Sequence, residues 1–145
     1  MKYIEKQGDL FSLKYDYFLV HCISADYALG KGIAKTFDSK YNMREKLFAT
    51  YPIDKNQEDQ YVGKALLIEN VFNLVTKKRY FQKPTYDVLQ GALDNLAEQC
   101  AEKEINRLAM PMIGCGLDKL NWVNVRSMII ETFRNTEIEI VICKL

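Results

Sequence analysis

Apolar positions along the chain fall into two kinds of run. Short continuous or alternating runs come at "YIEKQ" (3–7), "YFLVHCI" (17–23), "GKALLIEN" (63–70), "VFNLVT" (71–76), "NRLAMPMI" (106–113) and "EIEIVICKL" (137–145). These read as about six strands, with a turn near Asn70 between the third and fourth. The unbroken apolar ones have the character of strands buried on both faces. Between them lie stretches with a period near 3.6. "GKGIAKTFDSKY" places Ile33, Ala34 and Phe37 on one face, and "NMREKLFATY" is a short second helix. "TYDVLQGALDNLAEQCAEKE" carries Val88, Leu89, Ala92, Leu93, Leu96, Ala97 and Cys100 at i, i+3, i+4, i+7 spacing, with Thr85 as N-cap behind Pro84. "WVNVRSMIIETFRN" turns Val125, Ile129 and Phe133 inward. The order is strand, strand, helices, two strands, helix, strand, helix, strand. It predicts an α/β sandwich with a mixed, mostly parallel sheet, whose ligands gather beyond the C-terminal strand ends.

The 145 residues fit one domain, and 48% hydrophobic residues can fill its core. No repeat or low-complexity linker marks a boundary. A net charge of +1 speaks against a strongly basic nucleic-acid binder but not against contact with one nucleotide. No apolar run reaches the ~20 residues of a membrane span, and "MKYIEKQGDL" lacks a signal core. The four cysteines form no C-x-x-C pair and there is one histidine, His21, which speaks against a zinc site. Scattered cysteines in apolar runs read as reduced thiols of a cytoplasmic protein. A chain of this size suits a monomer.

Candidate chemistry gathers at two loops. "HCISADYALGKGIAK" (21–35) and "MPMIGCGLDKLNW" (110–122) each run from a strand through Gly-x-Gly towards a helix. Glycine lets a backbone approach an anion, and helix-start amides favour one. Two such loops could grip a diphosphate from both sides; tight turns alone would explain them equally well. Asp118 needs a task beside phosphates, such as activating water, or else complements a helix N-terminus. Asp9 could bind a base amino group or cap a turn. His21 lies in a buried strand, where a core role is the commoner one. Ser24 and Asp26 follow on the loop. Lys77 opens "TKKR" (76–79); a partly buried lysine can attack an electrophilic carbon, but the spacing does not choose Lys77 over Lys78.

"GDL" (8–10), "HCIS" (21–24), "GKGIA" (30–34), "TKKR", "KPTY" (83–86) and "MPMIGCGLD" (110–118), in this order, resemble one macrodomain branch, that of the terminal ADP-ribose protein glycohydrolase, also called O-acetyl-ADP-ribose deacetylase. The resemblance covers nearly the whole chain. It implies one macrodomain over 1–145, a three-layer α/β/α sandwich, with ADP-ribose as ligand rather than cofactor and no metal. It implies Lys77 as nucleophile towards C1″ of the distal ribose and Asp118 as the acid that resolves the lysyl intermediate. Asp9 and Leu10 would meet the adenine, and His21 and Ser24 would be ligand contacts, Ser24 near the distal ribose. Leu29, Gly30, Gly32, Ile33 and Ala34 would hold one side of the diphosphate and distal ribose. Met112, Ile113, Gly114, Cys115, Gly116 and Leu117 would hold the other, and Leu145 would pack near the adenosine. Implied substrates are mono-ADP-ribosylated glutamate or aspartate on a partner protein and O-acyl-ADP-ribose. ADP-ribosylated nucleic-acid bases, or binding without turnover, are the alternatives. Segment 51–64 matches no motif of the branch and could shape access for the modified partner.

Overall fold

Five of the six described strands alternate between two hydrophobic cores, and this alternation builds the molecule. The computed structural model describes residues 1–13 and 16–144. Strands β1 (Lys2–Gln7), β2 (Phe18–Ser24), β3 (Ala65–Ile68), β4 (Val71–Lys77), β5 (Arg107–Met110) and β6 (Glu139–Lys144) form one sheet in the order β1-β6-β5-β2-β4-β3. Only β3 runs antiparallel to its neighbour. Helices α1 (Gly32–Tyr41) and α2 (Met43–Thr50) cover one face, and α3 (Tyr86–Glu102) and α4 (Trp122–Phe133) the other.

Val20, Phe72, Leu74, Leu108, Met110, Ile140 and Ile142 point towards α3 and α4. Leu19, Ile23, Val71, Val75, Ala109, Val141 and Cys143 point towards α1 and α2. Central strands therefore need apolar residues at nearly every position, the buried His21 and Asn73 being paired with each other, which is why they read as near-continuous apolar runs. The helices bury the faces their spacing predicts: Leu89, Ala92, Leu93, Leu96 and Cys100 on α3, Val125, Ile129 and Phe133 on α4. The Thr85 side chain caps α3 by accepting from the Val88 N–H at 3.3 Å. Phe37 and Phe133 are fully buried, one per core, and truncating either to alanine costs ~3–5 kcal/mol.

Two elements are shorter than the pattern predicts. β5 stops at Met110 because Pro111 has no N–H to continue a ladder. α1 starts at Gly32 rather than Gly30. The β3–β4 turn falls at Glu69–Asn70, with Glu69 left-handed at φ 53°. No described helix is long and apolar enough to cross a membrane.

Candidate active site

Because β2, β4, β5 and β6 are mutually parallel, their C-terminal ends meet along one edge of the sheet. A cleft of about 910 Å³ opens there, walled by the segments that leave each of these strands.

The segment after β2 is tightly held. Asp26 accepts from Ser24 Oγ at 2.5 Å, from the Ala28 N–H at 3.2 Å and from the Tyr80 N–H at 3.0 Å. Tyr27 and Leu29 take left-handed φ angles of 53° and 43°, uncommon outside glycine and frequent at functional loops. Tyr27 hydroxyl donates to the Tyr51 carbonyl and Arg44 Nε to the Tyr27 carbonyl, which fixes the loop against α2. Gly32 then opens α1 at φ 60°. Its N-cap, Lys31, supplies no side-chain acceptor, so the first amides of α1 are left without a cap beside the cleft. Uncapped helix-start amides of this kind favour an anion. A Cβ on Gly30 would come no closer than 3.8 Å to any neighbour, so its backbone lies bare towards the cleft.

The second glycine loop works differently from its sequence expectation. It does not lead straight into a helix: α4 starts at Trp122 and Asn121 Oδ1 already accepts from the Val123 N–H at 2.9 Å. Residues 112–120 instead fold on themselves, through Cys115 N–H to the Met112 carbonyl, Lys119 N–H to the Gly116 carbonyl and Leu120 N–H to the Gly114 carbonyl. Gly114 needs φ 72°, and a Cβ there would meet Leu120 Cδ1 at 2.9 Å. Gly116 has nothing within 4 Å of where a Cβ would be. The two glycines thus serve different ends, one a strained turn and the other open space against a bare backbone.

Between the loops, Lys77 Nζ donates to Asp118 Oδ1 at 2.6 Å, with 14% and 18% of their side-chain surfaces exposed. Asp118 therefore does not complement a helix dipole; it lies ahead of α4 and meets the lysine across the cleft. Lys78 is 58% exposed and paired with Asp59 at 3.3 Å, so of the two lysines only Lys77 lines the cleft. Arg79 pairs with Glu58 at 2.5 Å, so segment 51–64 neutralises the rest of the "TKKR" cluster. The cleft thiols are poor rivals to Lys77 as nucleophile. Burial pushes the Cys22 thiol up to about 12, with the Asp118 charge adding, and burial raises Cys115 as well.

Ser24, Leu29, Gly30, Gly32, Ile33, Ala34, Met112, Ile113, Gly114, Cys115, Gly116 and Leu117 all line this cleft with Lys77 and Asp118. His21 does not. It is wholly buried under α1, stacked on Phe37 at 4.0 Å, with Nε2 donating to Asn73 Oδ1 at 2.5 Å. Strand alternation turns it to the α1 core, while Cys22 faces the other core. Asp9 and Leu10 are also off the cleft wall. Asp9 Oδ1 caps the 3-10 turn Leu10–Ser12 through the Phe11 N–H, and Leu10 is buried beneath it. The adjoining Gly8 N–H pairs with the carbonyl of Lys144, which does line the cleft, so Asp9 flanks that rim. Leu145 lies outside the described residues. Residues the sequence reading did not pick out are Lys31, Tyr80, Phe81 and Lys83 on the rim. Tyr80 and Phe81, two aromatic residues beside a charge cluster, were the available signal.

A mixed sheet between two helix pairs, with this cleft at its parallel strand ends, defines a macrodomain. No family model matches the chain. The macrodomain of Mycobacterium tuberculosis DarG superposes with a TM-score of 0.81 at 23% identity, covering 97% of this chain and 96% of that one. Thermosipho africanus DarTG in complex with ADP-ribose superposes at 0.79 with 19% identity, covering 99% of this chain and 42% of that one. The ADP-ribose glycohydrolase OARD1 of Homo sapiens is 39% identical over 139 residues, 94% of this chain and 87% of that protein. The chain belongs to the family of that glycohydrolase.

Proposed function

We propose that this macrodomain hydrolyses ADP-ribose from carboxylate esters: glutamate or aspartate side chains of mono-ADP-ribosylated proteins, and O-acyl-ADP-ribose. The observation that carries the reading is the Lys77–Asp118 contact of 2.6 Å in the wall of the cleft. Family membership and the relative's glycohydrolase name support it. The diphosphate would lie between the bare amides of α1 and the loop 113–117, with the distal ribose towards Ser24, Lys77 and Asp118. Four free thiols suit a reducing, cytoplasmic setting.

The chemistry balances on these two side chains. Lys77 passes a proton to Asp118 along their hydrogen bond and its lone pair attacks C1″. The bond from C1″ to the acyl oxygen breaks, and the acid leaves with its electron pair and the proton from Asp118. A lysyl–ribose bond remains. Asp118, again a carboxylate, takes a proton from a water that attacks C1″. The lysine departs as the free amine and recovers the proton. The diphosphate grip holds C1″ in reach of Nζ, and such positioning lowers a barrier by several kcal/mol. The test is release of ADP-ribose from a glutamate-linked substrate by wild type and by Lys77→Ala. Loss of turnover with retained ADP-ribose affinity supports the reading, whereas wild-type turnover in the variant refutes it.

A second reading, removal of ADP-ribose from a nucleic-acid base, is favoured by one feature of the rim: the exposed rings of Tyr80 and Phe81.

A further inference from the structure

We propose that Asp26 is a positioning residue of this active site: its carboxylate ties the segment after β2 to the segment after β4 and so fixes where the amine of Lys77 stands. This rests on Lys77 and Asp118 being the catalytic pair.

The register of β2 against β4 slips just before Lys77. Partners run from Leu19 opposite Val71 to Ile23 opposite Val75, and the next pair is Ser24 opposite Lys77. Thr76 is therefore an extra residue on β4, and without it Ser24 would stand opposite Thr76. A bulge re-aims the side chains beside it, disrupts the ladder locally and is rare between parallel strands. Here it brings the lysine level with a cleft serine, at a strand end where regular pairing has stopped.

Two bonds outside the ladder hold that end. Ala25 N–H donates to the Lys77 carbonyl at 2.9 Å. Further on, Tyr80 N–H donates to Asp26 Oδ2 at 3.0 Å, while Asp26 Oδ1 takes Ser24 Oγ and the Ala28 N–H. One side chain thus joins the two segments. Lys78 and Arg79, which lie between, are held by exposed ion pairs with Asp59 and Glu58, and exposed pairs contribute little. Arg79 N–H donates to Gln82 Oε1 and Gln82 N–H returns to the Arg79 carbonyl, which closes a strap over 79–82. Lys83 Nζ then reaches the Leu117 carbonyl at 3.2 Å. The path of hydrogen bonds from Ser24 to the residue before Asp118 passes through Asp26.

Asp26 acts through other groups. It does not line the cleft, and both of its oxygens are occupied by donors of the protein, so it is not placed to take a proton from a ligand. Ser24 spends its one proton on Asp26, so towards the cleft its hydroxyl can only accept. Lys77 carries its amine on a flexible four-carbon stem. Nζ is therefore fixed at two points, by the backbone at its root and by Asp118, 2.6 Å from its tip. Releasing Tyr80 from Asp26 lets the root shift, and a misplacement of about 1 Å costs about 10²-fold in rate. The first glycine loop keeps its own ties, from Tyr27 to the Tyr51 carbonyl and from Arg44 to the Tyr27 carbonyl. Ligand binding should therefore outlast the loss of rate.

The test measures kcat and its pH profile on O-acetyl-ADP-ribose, and the affinity for free ADP-ribose by calorimetry, for wild type, Asp26→Ala, Asp26→Asn and Lys77→Ala. Asp26→Ala is expected to lose about 10²-fold in kcat, with affinity within a few fold of wild type. Asp26→Asn keeps one acceptor oxygen, enough for Ser24 or Tyr80 but not for both. It should lose less, and it carries the test if Asp26→Ala does not fold. The pH profile should keep its shape in both variants, because Lys77 and Asp118 are untouched. Wild-type kcat in both variants overturns the proposal. So does an affinity that falls as far as kcat, which would make Asp26 a support of the ligand loops alone. A limb missing from the pH profile would make Asp26 an acid or base and overturns it too. Inactive Lys77→Ala beside fully active Asp26 variants overturns this inference and leaves the catalytic pair standing. Fully active Lys77→Ala, or a wild type that does not turn over O-acetyl-ADP-ribose, overturns both.

Discussion

Acidifying the protein from pH 7.5 to 5 should cost it stability through one side chain, His21, the single histidine of the chain. His21 is fully buried between Asn73 and Phe37, and its Nδ1 has no partner among the described residues. Protonation would place a charge and a new donor where no acceptor waits. Burial pulls its pKa from 6.5 to about 4, against a smaller upward pull from Asn73. The folded value is the lower one, so the unfolded chain takes up the proton first. The stabilisation is complete above pH 6.5 and is lost as pH falls towards 4. At pH 5 an unfolded imidazole is almost wholly protonated and the folded one about one tenth, a loss of ~2 kcal/mol. Glu5 adds little in this window. Burial alone would raise it, but hydrogen bonds from Lys144, Tyr3 and Arg126 hold it at about 2, so its loss falls below pH 4.5. Urea unfolding followed by Trp122 fluorescence at pH 7.5, 6 and 5 reads this directly. The midpoint should fall by roughly 1 M in wild type. His21→Asn, whatever its own stability, should show almost no slope between these pH values. A flat wild-type profile would mean that His21 titrates as an open residue, and the assignment of it to the core rather than the cleft would be wrong.

Asp118→Ala should lose turnover by about 10²–10⁴-fold, because Asp118 serves both the attack by Lys77 and the water that follows; mass spectrometry of the Lys77 peptide separates the two roles, an ADP-ribose adduct marking a slower second step and its absence a slower first one, and wild-type turnover would take Asp118 out of the mechanism. Gly114→Ala should destabilise the protein by ~1–3 kcal/mol, since it forces a side chain to φ 72° and a Cβ to 2.9 Å from Leu120 Cδ1. It should also weaken ADP-ribose binding about tenfold by calorimetry, because the turn it distorts carries Cys115 to Leu117; unchanged affinity would take that loop off the ligand.

The fold was legible because burial is two-sided in the strands and one-sided in the helices. The apolar run 17–23 and the 3.6 period from Thr85 leave little choice of element. The site was legible in part. Gly-x-Gly at 30–32 does open a helix, but the same pattern at 114–116 does not. A short glycine motif cannot distinguish an uncapped helix start from a loop closed by its own bonds, since the difference lies in Asn121, several residues on. Spacing does not separate Lys77 from Lys78, whereas the family resemblance points to Lys77, and the fold brings Asp59 to Lys78. His21, a core residue by its strand and a ligand contact only by resemblance, lies off the cleft for a related reason. It stands among residues that do reach the cleft, and a strand sends neighbours to opposite faces. Tyr80 and Phe81 stand beside "TKKR" but outside any periodic stretch, and it is the fold that sets them on the cleft with Lys77.

The central claim is that Lys77 does the chemistry and the glycine loops do the holding. Wild type and Lys77→Ala should therefore be compared in one experiment, measuring release of ADP-ribose from a glutamate-linked mono-ADP-ribosylated protein alongside the affinity for free ADP-ribose. Release by wild type, none detectable from Lys77→Ala, and affinities that agree within a few fold are the expected result. Release by Lys77→Ala at the wild-type rate, or a wild type that binds ADP-ribose and releases none from carboxylate esters, would contradict it.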